Sequence, residues 1–168
     1  MNPSAKLSEL IDALEFESEE SVTRFDRQTG RIVSVDRHIL SAFEEGEPDE
    51  LGELPDWQKE ALEIAKAVAE NAGERFIDAP DKFDFHEYRH MERFIGTVEN
   101  TQAAEELWQA IKGKGAFRYF KDTARRLGLL DQWCRYRDEA VKEHVIAWAE
   151  ANQVTVEDDT PTRSRNGP

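Results

Sequence analysis

The sequence contains one cysteine, Cys134, in 168 residues. No disulfide can form within the chain, which agrees with a reducing compartment. Cys134 itself reads as a small, half-buried side chain on a helix, without an activating neighbour. No apolar run approaches the roughly 20 residues of a membrane-crossing helix. Acids stand among the first twenty residues, where a secretory signal would carry its apolar stretch, so the expected location is the cytoplasm, away from membrane. Bases are scarce: 22 Lys and Arg face 36 Asp and Glu, a net charge of −14. Such a chain stays soluble and repels nucleic acid unless its charges are segregated. No internal repeat is present.

What is present is periodic. Leu7, Leu10, Ile11 and Leu14 share one helical face, with Ser4 or Ser8 as candidate caps. The runs 21–27 and 31–35 flank Gln28-Thr29-Gly30 and predict a β-hairpin, with Gly30 supplying a positive φ. A short helix over 37–43 follows. Residues 44–56, acidic with two prolines and two glycines, read as an exposed connector. Helices are expected over 56–71 (Trp57, Ala61, Leu62, Ile64, Ala65 and Val68 inward), 84–98 (Tyr88, Met91, Ile95 and Val98 inward) and 101–111. Two more follow over 116–127 (Phe117, Phe120, Ala124 and Leu127 inward) and 131–152. Phe76-Ile77 is too short to assign. The expected fold is α+β and mostly helical, an N-terminal helix and β-hairpin packed on a bundle of about five helices. One globular domain over 1–155 and a disordered tail over 156–168 complete the expectation.

The run Gly113-Lys-Gly-Ala-Phe-Arg-Tyr-Phe-Lys-Asp122, followed by Gly128, Trp133, Tyr136-Arg137 and Trp148, resembles an uncharacterised bacterial protein family. That family pairs a Gly-Lys-Gly-Ala-Phe-Arg-x-Phe-Lys signature with a Trp, an aromatic-Arg pair and a late Trp. The N-terminal Leu-rich helix, the turn at Thr29-Gly30 and Met91-Glu92-Arg93-Phe94-Ile95 also match. The resemblance covers about residues 6 to 153 and implies the domain, with no activity, substrate or cofactor attached.

His86-Glu87-Tyr88-Arg89-His90 fits the His-Glu-x-x-His pattern of zinc metallopeptidases, in which two histidines on one helical turn bind zinc and the Glu activates water. In a helix over 84–98, however, His86 and His90 point about 130° away from the apolar stripe. No third ligand stands at a convincing place; Glu105 and Glu106 are candidates only because their helix is glutamate-rich. The pair reads as a solvated face, with no metal and no catalytic residue assigned.

Charge is segregated. Residues 112–137 hold eight bases and two acids, +6, which leaves −20 elsewhere. Lys114, Arg118, Lys121 and Arg125 recur at i, i+4, i+7 and i+11, one helical stripe about 110° from the core stripe. Gly113 and Gly115 precede it, where backbone N–H groups can approach an anion. Lys114, Gly115, Arg118, Lys121 and Arg125 are therefore the candidate anion-binding residues. The partner would be an anionic ligand, nucleic acid or an acidic protein; the competing reading has these bases pair with the chain's own acids. On the last helix, Trp133, Ala140, His144, Ala147 and Ala151 share a face with Arg137 and Trp148 beside it. Arg137 and His144 read as structural polar core residues, and Arg137 needs a carboxylate partner. The expected function is a binding or regulatory module without a cofactor. An interaction adaptor is the alternative, and a metal-dependent hydrolase through His86 to His90 the weakest reading.

Overall fold

The turn at Gln28-Thr29-Gly30 is knotted by one buried carboxylate. Asp26 accepts from the Gln28 N–H (2.9 Å), from the Thr29 hydroxyl (3.0 Å) and from Arg75 Nε and Nη2 (2.9 and 3.0 Å). Gly30 takes φ +73, and a Cβ there would lie 2.8 Å from the Ser4 carbonyl oxygen, so both backbone conformation and space demand glycine. The strands on either side are β2 (Ser21–Asp26) and β3 (Arg31–Asp36), paired antiparallel with Asp26 opposite Arg31.

The computed structural model describes residues 3–16, 18–47, 51–53 and 55–161. Among them the chain is α+β and mostly helical, in two compact units. The first unit comprises Met1–Asp81 with Val145–Pro168, the second Lys82–His144. In the first, β1 (Ala5–Lys6) leads into α1 (Leu7–Glu15), and α2 (Arg37–Glu44) and α3 (Asp56–Glu70) follow the hairpin. Asp36 caps α2 by accepting from the Ile39 N–H at 3.0 Å. The unassigned Phe76-Ile77 becomes β4 (Phe76–Asp78), antiparallel to β2, giving the order β3-β2-β4. Val35, Ile39, Leu40, Ala65, Val68 and Phe76 form one buried core. Trp57 is 76% exposed: as the second residue of α3 it precedes the turns that carry the apolar stripe.

Residues of the segment expected as a tail, 156–168, pair with the N-terminal strand and helix. Val156–Glu157 forms β5, parallel to β1, and the Asp159 carboxylate accepts from the Ser8 N–H at 2.8 Å. Neither Ser4 nor Ser8 caps α1; Asp159 satisfies its first-turn donor from the far end of the sequence. Residues 48–50 and 54 of the expected connector, and 162–168 of the expected tail, lie outside the described residues.

The second unit holds α4 (Lys82–Phe85), α5 (Glu87–Thr97), α6 (Thr101–Ala110), α7 (Ala116–Arg126) and α8 (Leu130–Ala151) up to His144. Met91, Phe94, Ile95, Leu107, Ile111, Phe120 and Trp133 make its core. Phe94, Phe120 and Trp133 meet edge to face at 4.9 to 6.2 Å between centroids. The buried row of α8 is Trp133, Val141, Val145 and Ala149. The small residues expected inward, Ala147 and Ala151, are exposed, as is Cys134. Larger branched side chains remove more area from water than alanines do, so they set the buried face. No helix among the described residues is long and apolar enough to cross a membrane.

Candidate anion-binding face

Two glycines shape the entry to α7. Gly113 and Gly115 take φ +89 and +75, left-handed values that cost little only without a Cβ. Tyr119 packs over Gly115, whose added Cβ would stand 3.1 Å from the ring. Gly128, φ +73, ends the helix. Between them Ala116, Phe120 and Ala124 are buried.

Phe117 is not inward as the pattern implies; it is 48% exposed. The alanines on either side of Phe120 let α7 approach its neighbours closely, so the buried face centres on that row. Arg118, Lys121 and Arg125 then stand about 130° from the buried face, farther than the apolar pattern alone indicates, whereas Lys114 precedes left-handed Gly115 and lies outside the helix.

Lys114, Arg118, Lys121 and Arg125 are all exposed. Asp122 is the carboxylate among them, 3.9 Å from Arg118 and 3.6 Å from Arg125. Among the described residues, no ion pair engages Lys112, Lys114, Lys121 or Arg135. Exposed pairs at these separations contribute little. Two bases of the same run are engaged elsewhere: Arg126 reaches Glu106 at 3.2 Å, and Arg137 bonds Glu87. The unit Lys82–His144 carries 12 bases and 11 acids, net +1, while the remaining residues carry 10 bases and 25 acids, net −15.

The His-Glu-x-x-His segment takes a different shape from the helix expected over 84–98. His86 adopts φ +54, ψ +63, breaking the chain between α4 and α5. In one continuous helix Phe85 would point about 125° from the face of Met91, Phe94 and Ile95; the break lets it be buried, at 2% exposure. His86 therefore lies outside the helix that carries His90. His90 is half-buried and stacked on Phe85, 4.3 Å between centroids, rather than solvated. Burial, with help from the charges of Arg93 and His144, holds its pKa below the ordinary imidazole value. Glu87 is bonded to Arg137 Nε, both side chains largely buried, so its carboxylate is the partner that Arg137 needs. Among the described residues no group of three or more His, Cys, Asp or Glu is placed to hold a metal ion.

A family model matches residues 1–164, reaching into both units. The chain belongs to the uncharacterised protein family UPF0158. No curated protein and no solved structure matches it.

One feature of this UPF0158 chain escapes sequence reasoning. Asp84, Phe85, His86, Arg89, His90, Arg93, Ala140, Glu143 and His144 line an open cavity of about 310 Å³. His144, half-buried, meets Phe85 edge-on at 5.6 Å, and the Arg137 guanidinium lies 5.8 Å from the same ring. Two acids offset the two arginines of its lining, so the cavity has no strong charge preference. The cavity gathers residues of α4, α5 and α8 beside the left-handed break at His86, and no local residue pattern signals it.

Proposed function

We propose that this protein is a binding module that holds an extended polyanion along the outer face of α7. The observation that carries this reading is the exposed row Arg118, Lys121 and Arg125 on α7, with exposed Lys114 just ahead of the helix and Asp122 as the carboxylate among them. From Arg118 to Arg125 the row spans about 10 Å at 1.5 Å per residue, and Lys114 extends it beyond the start of the helix. A single phosphate can touch two of these cations at most, so a chain of phosphates is the ligand that uses all four. Left-handed Gly113 and Gly115 open backbone N–H groups at the head of the row, which favours an anion there further.

The exposed lone thiol of Cys134 supports a reducing, cytoplasmic setting, because elsewhere it would invite disulfides between molecules. The reading is tested with long-chain inorganic polyphosphate as the probe. Wild type binds it at 50 mM salt, and Arg118→Glu with Lys121→Glu weakens binding at least tenfold while the fold, followed by circular dichroism, is retained. Equal binding by the folded double variant overturns the proposal.

A further inference from the structure

We infer that the polyanion is a single-stranded nucleic acid, and that Phe117 is the platform on which one of its bases stacks. This rests on the binding reading above and names its ligand class. Phe117 is 48% exposed, although the residues flanking Phe120 on the buried face, Ala116 and Ala124, are 8% and 0% exposed. It lies one helical turn from Lys121, at i+4, an ammonium group without an ion-pair partner among the described residues, and Lys114 stands three residues before it, just ahead of the helix. The helical angle puts Phe117 about 70° from the centre of the basic row, on its core side.

A phenyl ring has no donor or acceptor. It can recognise a nucleic acid only through the flat face of a base, and every base has such a face. In a duplex those faces are covered by their neighbours and only edges are presented in the grooves. The combination of a cationic row with an exposed phenyl ring therefore selects a strand whose bases are free. Tyr119, 57% exposed, stands on the other side of the helix, about 130° from the row, and is placed over Gly115. It serves as the internal control.

The test uses the full chain and fluorescent 12-mers at one fixed salt concentration: oligothymidylate, oligouridylate, an abasic strand of equal charge, and a duplex. The wild type binds a base-bearing strand at least fivefold more tightly than the abasic strand or the duplex, since one stacked base contributes at least that factor. Phe117→Ala brings base-bearing strands down to the abasic level and leaves abasic binding unchanged. Phe117→Trp restores the difference, and Tyr119→Ala leaves all four affinities as they were. Equal binding of the abasic, duplex and base-bearing strands, or Phe117→Ala and Phe117→Trp both binding like wild type, overturns the inference and leaves the polyanion reading standing. Failure of every strand and of polyphosphate to bind overturns both.

Discussion

At the scale of single residues, two titrating side chains tie the fold to pH in the same direction for different reasons. Asp26 is 3% exposed. Burial pushes its pKa up, but the bonds from Arg75, the Gln28 N–H and Thr29, with the Arg75 charge, hold it below the ordinary 3.8. A carboxyl lowered in the folded state contributes stability above its unfolded pKa and loses it as pH falls through the folded value. Asp26→Asn is therefore expected to lose about 2 kcal/mol at pH 7 and to show a flatter acid limb below pH ~4, read by urea unfolding across pH. An acid limb as steep as the wild type's contradicts this. His90 works through its neutral form. Because its folded pKa is lowered from 6.5, the unfolded chain takes up the proton first, and stability drops as pH falls below that value. His90→Gln should shrink the loss of melting temperature between pH 7.5 and 5.5; an unchanged loss places the pH dependence elsewhere.

Secondary elements show where the sequence is legible and where it is not. The Thr29-Gly30 turn and the Gly113-Lys-Gly break are readable because a backbone that needs positive φ selects glycine. The bounds of α6, α7 and α8 follow from periodicity to within about a residue. Arg118, Lys121 and Arg125 follow from spacing, whereas Lys114, counted in the same stripe, falls before the left-handed Gly115 and outside the helix. Phe117 is misread because a hydrophobic pattern counts a phenyl ring as core and ranks alanine below it, whereas Ala116 and Ala124 are what let α7 pack closely. His86 is misread because its left-handed turn is imposed by burying Phe85, a tertiary demand that local propensity does not carry. The pairing of β4 with β2 is likewise long-range. The α5 to α8 tie, Glu87 to Arg137, has a measurable consequence. Glu87→Gln or Arg137→Met alone is expected to cost about 3 kcal/mol by breaking a largely buried charge pair. The double variant should cost clearly less than the sum, because both charges leave together. Additive losses in a double-mutant cycle would show that the pair is not coupled.

For the molecule as a whole, the net charge of −14 conceals an uneven distribution: +1 on Lys82–His144 and −15 on the rest. Bulk acidity argues against a polyanion partner only if the charge is spread evenly. At physiological salt the screening length is about 8 Å, so what a ligand meets at α7 is governed by the side chains nearest to it. The direct measurement is the slope of log affinity against log salt for a single-stranded 12-mer, taken for wild type and for Lys114→Ala. Four engaged cations predict a wild-type slope of about −3, made shallower by about 0.7 in the variant. A wild-type slope near zero, or one that Lys114→Ala leaves unchanged, would contradict the assignment of α7 as the polyanion-binding face.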